Sequence, residues 1–219
     1  MTSSRSTGKI GAAILAGGKA TRMGGVAKGR IEAASGVAIV QRSIRQFDLA
    51  GVDDVIIVSS DAAAYQEYGR PVIPDVRPGM GPLGGIEAAL RYFAGRCDTD
   101  VHNLQCASKV YDAVIFVPCD LPRINAGELR KLLDAFDPAA DRVVYARTGV
   151  FFDHPLCSVV HNALLPEIEA AIDRGDRAVG KLWRSVGGRA VCFEDDTAFV
   201  NLNTLEDLNA WQSRQKTSQ

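Results

Sequence analysis

Ile10-Gly11-Ala12-Ala13-Ile14-Leu15-Ala16-Gly17-Gly18-Lys19-Ala20-Thr21-Arg22-Met23-Gly24-Gly25 runs from an apolar segment straight into a basic, glycine-rich loop. Ile10 to Leu15 reads as a short buried strand. Beyond it come four glycines and the basic side chains Lys19, Arg22, Lys28 and Arg30, and no acidic residue precedes Glu32. Glycine lets the backbone approach a ligand closely, so successive N–H groups can point into one concavity. Such a nest at a strand end, ringed by Lys and Arg, suits phosphate groups.

Two commoner phosphate loops are excluded. A Walker A loop needs Gly-x4-Gly-Lys-Ser/Thr, whereas Ala20 follows Lys19 and Ala13 stands five residues before Gly18. The dinucleotide fingerprint Gly-x-Gly-x-x-Gly needs glycines at offsets absent here. An ordinary strand-to-helix turn would need one or two glycines, and this stretch has four.

The 219 residues fit one domain with a sizeable core. Hydrophobic residues make up 47%, which argues against extensive disorder. A net charge of −1 exerts no general pull toward nucleic acid or membrane, so anion binding must be local. No apolar run approaches the length of a bilayer span. The five cysteines are odd in number and show no Cys-x-x-Cys pair, as expected of free thiols in a reducing cytoplasm. Cys97, His102 and Cys106 cluster in sequence, but their spacing is unlike that of structural zinc modules. The expected organisation is a flexible tail over 1–8, a domain over 9–212 with a loop or insertion at 95–110, and a fraying tail over 213–219.

Strand and helix patterns alternate along the chain. Val55 to Val58 is a β-branched run, Pro71 to Asp75 a short strand candidate, Val114 to Val117 a further strand, and Arg142 to Ala146 and Arg189 to Phe193 two more. Helical spacing links Val40, Ile44 and Phe47, which end at Gly51, and Ile86, Ala89, Leu90 and Phe93, which follow Gly81-Pro82-Leu83-Gly84-Gly85. Leu129 to Phe136 and Leu165 to Ile172 mark two further helices, and Thr204 with Asp207 resembles a capping box. The pattern predicts an α/β fold: a single three-layer α/β/α domain around a predominantly parallel sheet. Ligands in such sheets bind beyond the carboxyl ends of the strands. The glycine loop, Ser59, Asp75 and Asp120 all follow strand candidates.

Asp120 could hold Mg²⁺, which takes one or two protein carboxylates and completes its shell with water and substrate phosphates. The same residue could instead cap a helix after Pro122. Asp75 could serve a ribose, a metal or a turn, and Lys28 is within reach of the phosphate loop. Asn201-Leu202-Asn203-Thr204 sets two amides on one side of an extended stretch, suited to a polar ligand or to capping. No nucleophile–base pair stands out. A substrate phosphate, with a second pKa of ~6, is already ionised at neutral pH and needs no protein base.

Leu15-Ala16-Gly17-Gly18 followed by Arg22-Met23-Gly24 and Lys28 resembles the signature of nucleotidyltransferases with a GT-A-like, Rossmann-type fold. More narrowly, the chain resembles the molybdenum cofactor guanylyltransferase (MobA) family. Gly81 to Gly85, Pro118-Cys119-Asp120, His154-Pro155, and Phe199 to Thr204 with Glu206-Asp207-Leu208 carry that narrower likeness. The resemblance implies transfer of GMP from MgGTP to the terminal phosphate of molybdenum-bearing molybdopterin, with Mg²⁺ as cofactor. It implies nucleotide contacts from Leu15, Ala16, Gly17 and Gly18, with Lys28 on the phosphates, Ser59 and Asp75 near base and ribose, and Asp120 on the metal. Arg22, Arg177, Asn201 and Asn203 would serve phosphate or pterin recognition. Other cofactor-biosynthesis proteins or a molybdoenzyme chaperone are the implied protein partners. Ala27 and Ser59 depart from the family's usual acidic residue and Asn, so two other readings are kept: a related cytidylyltransferase, and a non-catalytic nucleotide-binding adaptor.

Overall fold

The computed structural model describes residues 8–17, 28–32, 36–96, 107, 110–202 and 207, and of Lys28 the backbone. The described residues form seven strands: β1 (Ile10–Leu15), β2 (Val55–Val58), β3 (Val72–Ile73), β4 (Ala113–Pro118), β5 (Val143–Thr148), β6 (Phe152–His161) and β7 (Arg189–Phe193). Five α-helices accompany them: α1 (Ile39–Ala50), α2 (Pro82–Phe93), α3 (Ala126–Ala135), α4 (Leu165–Asp173) and α5 (Val179–Ser185). The strands make one sheet in the order β3-β2-β1-β4-β6-β5-β7. Pairing is parallel from β3 through β4 and again between β5 and β7, and β6 runs antiparallel to both its neighbours. The sheet is therefore predominantly parallel, as the alternating pattern predicts.

Each face of the sheet carries its own core. Phe47 of α1 and Leu129 and Leu132 of α3 pack with Ile14, Ile57, Ile115 and Val159 on one face. Leu83, Ile86 and Leu90 of α2, Ile168 of α4 and Trp183 of α5 pack with Ala13, Ile56, Phe116 and Val160 on the other. Successive strand residues point to opposite faces, so runs such as Val55–Val58 must be apolar throughout to serve both layers. This is the three-layer α/β/α arrangement.

Two elements escape the sequence pattern. β6 contains Pro155, and its register against β5 jumps between Tyr145 and Ala146, so that Ser158 and His154 face consecutive residues. That bulge interrupts the alternation by which a half-buried strand is read. α5 spans only seven residues, too short for a helical period to declare itself, although Val179, Leu182 and Trp183 are buried. β5 runs two residues beyond its expected end, to Thr148.

Asn125, and not Asp120, caps α3. Its side chain accepts from Gly127 N while Glu128 reaches back to Asn125 N. Among the described residues no helix is long and apolar enough to cross a membrane. Cys119, Cys157 and Cys192 form no disulfide among the described residues; Cys97, His102 and Cys106 lie outside them.

Candidate active site

The sheet order sets which strand ends meet. Running β3-β2-β1-β4, the carboxyl ends deliver Asp75, Ser59, Leu15 to Gly17, and Asp120 in that sequence. Three strand spacings of about 4.8 Å separate β3 from β4, so these residues line a track roughly 14 Å wide. Backbone bonds hold the track together: Ala16 N donates to Val58 O (2.9 Å), Ser59 N to Ile73 O (2.8 Å) and Cys119 N to Leu15 O (3.0 Å). Gly17 is exposed, and a Cβ there would meet nothing within 4 Å among the described residues.

The N-terminus of α2 closes one end of this track. Gly81 has φ 64° and ψ −151°, a conformation reserved for glycine, and it turns the chain so that Pro82 begins the helix. Gly84 and Gly85 then let α2 approach very closely. A Cβ on Gly85 would lie 3.2 Å from Leu15 Cδ2, 3.3 Å from Val58 Cγ1 and 3.4 Å from Asp75 Oδ1. A Cβ on Gly84 would lie 3.1 Å from the Arg77 carbonyl. Unsatisfied N–H groups at a helix start favour anions, so this end suits a phosphate-bearing ligand. Burial pushes the Asp75 carboxyl above the ordinary aspartate range. Ser59 is buried, and its Oγ accepts from Asp61 N (3.1 Å), which leaves the hydroxyl proton to donate elsewhere.

An ion-pair cluster fixes the loop after β3. Glu87 of α2 is fully buried and pairs with Arg77 (3.3 Å) and Arg91 (3.2 Å). Arg91 continues to Glu169 of α4 (2.7 Å), and Arg77 to Asp173. Burial raises the Glu87 carboxyl against the pull of both guanidinium groups. The cluster ties Arg77, two residues after Asp75, to two helices. Only the Glu87–Arg91 pair, four residues apart on α2, is marked in advance by its spacing.

At the other end, Asp120 follows β4 with its Oδ1 buried from solvent. Leu202 N donates to Asp120 O (2.9 Å), which brings Asn201 to the same strand end. The segment before it is seated by aromatic contacts: Phe199 stacks on His154 (4.7 Å between ring centroids) and meets Phe193 edge-on (4.9 Å). His154 Nε2 lies 2.9 Å from Thr148 Oγ1, and burial lowers the imidazole's affinity for a proton. Cys157 is wholly buried; burial first, and then the nearby Asp120 charge, push its thiol far up. His154, Thr148 and Phe199 thus build the support for Asn201, through contacts between distant parts of the chain.

Leu15, Ala16, Gly17, Ser59, Asp75, Asp120 and Asn201 therefore share one end of the sheet. Arg177 is exposed in the connection between α4 and α5, in the helix layer that includes α2. The Lys28 backbone enters a short 3-10 turn, Lys28–Arg30, whose Gly29 packs so tightly on Tyr65 that a Cβ would lie 3.0 Å from the ring. Gly18, Arg22 and Asn203 lie outside the described residues, as does most of the 95–110 segment. Among the described residues no group of three or more His, Cys, Asp or Glu side chains could hold a metal. Cys97, His102 and Cys106 lie outside the residues to which that applies, and Mg²⁺, content with one carboxylate plus phosphates, fits Asp120 at this position.

The chain is similar to known proteins along most of its length. A model of the MobA-like NTP transferase domain matches residues 12–190. The molybdenum cofactor guanylyltransferase of Vibrio atlanticus is 34% identical over 204 residues, 92% of this chain and 95% of that protein. The enzyme of the same name from Serratia proteamaculans is 32% identical over 201 residues, 91% and 92% of the two chains. Among solved structures, molybdopterin-guanine dinucleotide biosynthesis protein A from Archaeoglobus fulgidus superposes with a TM-score of 0.72 at 19% identity, covering 94% of this chain and 98% of that one. A CMP:2-keto-3-deoxy-manno-octonic acid synthetase in complex with CTP gives 0.73 at 13% identity, covering 96% and 100%. These two structural likenesses show the nucleotidyltransferase fold. With a domain model matched across most of its length and relatives above 30% identity from end to end, the chain belongs to the family of MobA-like NTP transferase domains.

Proposed function

We propose that this protein transfers GMP from MgGTP to the terminal phosphate of molybdenum-bearing molybdopterin, releasing pyrophosphate. The observation that carries the reading is end-to-end likeness to proteins named molybdenum cofactor guanylyltransferase. The strand-end track supports it with a divided layout. The α2 end, with Ser59, Asp75 and the close-packed Gly84–Gly85, suits the nucleoside. Leu15 to Gly18 suit its phosphates, whose charge Lys28 would neutralise. Asp120 would hold Mg²⁺, and Asn201, Asn203, Arg22 and Arg177 would bind the acceptor. Mg²⁺ held there would supply charge neutralisation to the phosphates.

In this reading an acceptor phosphate oxygen forms a bond to the α-phosphorus of GTP as the α–β phosphoanhydride P–O bond breaks. The electron pair leaves with pyrophosphate. The acceptor phosphate is ionised at neutral pH, so no residue need remove a proton. The protein's work is to align the two phosphates and compensate charge, through backbone N–H groups after β1 and through Lys28 and Arg22. Free buried thiols at Cys119 and Cys157 support a reducing, cytoplasmic setting.

Nucleotide choice tests the reading directly. GTP with Mg²⁺ at ~100 times its Kd should add about 2.7 kcal/mol to the folded state. At this length that raises Tm by roughly 5–10 °C, given reversible two-state unfolding. CTP and ATP at equal concentration should do less, and GTP alone should yield pyrophosphate with molybdopterin. A larger shift and turnover with CTP would overturn the reading in favour of a cytidylyltransferase. Nucleotide binding without any turnover would favour an adaptor.

A further inference from the structure

The turn between β5 and β6 exposes three consecutive large apolar residues: Val150 at 71%, Phe151 at 86% and Phe152 at 73%. Scattered exposed apolar side chains are ordinary, but two adjacent, largely bare aromatics on a hairpin tip are costly unless something covers them. The hairpin is firmly braced just beneath this tip. Asp153 takes Arg147 on one carboxylate oxygen (2.6 Å) and Arg184 on the other (3.3 Å), and Thr148 meets His154 at 2.9 Å.

The register sets the height of the tip. Ser158 of β6 pairs with both Phe116 of β4 and Tyr145 of β5, so those two residues lie level. Three residues further on, Cys119 and Thr148 are level in turn. The tip therefore rises from the height of Asp120, two strand spacings away across β6, roughly 10 Å. The register also sets the face. Thr148 pairs with Phe152, and alternate strand residues share a side, so Phe152 lies on the same side as Thr148 and His154. Those are the residues that seat Phe199 and, behind it, Asn201 beside Asp120.

We infer that Phe152, with Phe151 beside it, is the platform on which the fused heteroaromatic ring of the acceptor stacks while its phosphate sits at Asp120 and Asn201. The inference rests on the guanylyl-transfer reading above. The acceptor is a molecule with a planar ring at one end and the reacting phosphate at the other. A bare aromatic on β6, the strand that pairs with β4, on the side where His154 and Phe199 seat Asn201, matches that shape.

The test compares wild type with Phe152→Ser, the double variant Phe151→Ser/Phe152→Ser, and Phe152→Tyr, using molybdopterin as acceptor and GTP at saturation. Aromatic stacking on a base is worth about 1–3 kcal/mol by truncation, so the acceptor KM should rise about tenfold or more in the Ser variants. The KM for GTP, kcat at saturating acceptor and Tm should stay close to wild type, because both side chains are exposed. Phe152→Tyr should restore the acceptor KM. Titration of the wild type with 6-hydroxymethylpterin should quench the probe's fluorescence, and the double variant should not. An unchanged acceptor KM in an active double variant overturns the platform while leaving guanylyl transfer intact. A wild-type dimer that the double variant abolishes, again with unchanged KM, overturns it in favour of self-association. A wild type that transfers no GMP to molybdopterin removes the functional reading and the platform with it.

Discussion

Gly85→Ala separates the role of α2 in the site from its role in the core. The new methyl would stand 3.2 Å from Leu15 Cδ2, 3.3 Å from Val58 Cγ1 and 3.4 Å from Asp75 Oδ1, so those side chains must each yield by a few tenths of an ångström. Crowding of this kind costs about 1–3 kcal/mol, and replacing a helical glycine by alanine returns about 1 kcal/mol. The net loss is about 0–2 kcal/mol, or roughly 0–8 °C in Tm at this length. The effect on activity should be disproportionate. A 1 Å misplacement costs on the order of 10²-fold, so a few tenths displaced at Leu15 and Asp75 should lower kcat/KM for GTP about 3- to 10-fold. Gly11→Ala is the control. Its Cβ would fall 2.4–2.7 Å from the ring of buried Phe93, at the far end of β1 from the site, so it should cost more stability but little activity per folded molecule. Thermal unfolding and pyrophosphate release, assayed well below both midpoints, give the two readouts. Wild-type kcat/KM in Gly85→Ala, or equal losses of activity in both variants, would refute the placement of the nucleotide against α2.

Two further substitutions address the carboxylates. Asp120→Asn should lower turnover by ~100-fold or more and flatten its Mg²⁺ dependence, and a normal Mg²⁺ titration of pyrophosphate release would exclude Asp120 as the metal ligand. Asp75 behaves differently because burial raises its carboxyl above the ordinary 3.8. The folded state then holds its proton more tightly than the unfolded chain, so this group lowers stability as pH rises from 3.8 through the folded value. Asp75→Asn should therefore raise Tm at neutral pH without nucleotide, by a margin that shrinks toward pH 3.8, while weakening GTP binding. A lower Tm at neutral pH would contradict the sign.

The parallel half of the fold is legible in the sequence because its strands are uninterrupted apolar runs serving two cores at once. β1, β2 and β7 fall where those runs stand, and α1 stops at Gly51, in the left-handed region with φ 87°. The residues at strand ends are legible for the same reason: Leu15 to Gly17, Ser59, Asp75 and Asp120 follow directly from where the runs stop. β6 and α5 are not, since Pro155 and its bulge break one pattern and brevity hides the other. Long-range partnerships leave no local trace either. The Glu87 cluster, the His154–Phe199 stack and the Leu202–Asp120 bond join residues whose meeting depends on the completed sheet. Asp120 could have been a helix cap by sequence, and only the capping box at Asn125 shows the helix to be served otherwise.

The bond from Leu202 N to Asp120 O has a consequence for the order in which the protein becomes competent. A chain emerging from the ribosome at about 5–20 residues per second lays down β1 to β4 and the start of α2 long before residue 202 appears. The nucleoside end of the track draws on β1, β2, β3 and α2 alone, so a growing chain can complete it early. The end at Asp120 waits for the segment after β7 that brings Leu202 to Asp120. On the proposed reading, the residues of the nucleoside end are thus made before the segment that carries Asn201, and synthesis sets a donor-first order on the assembly of the site.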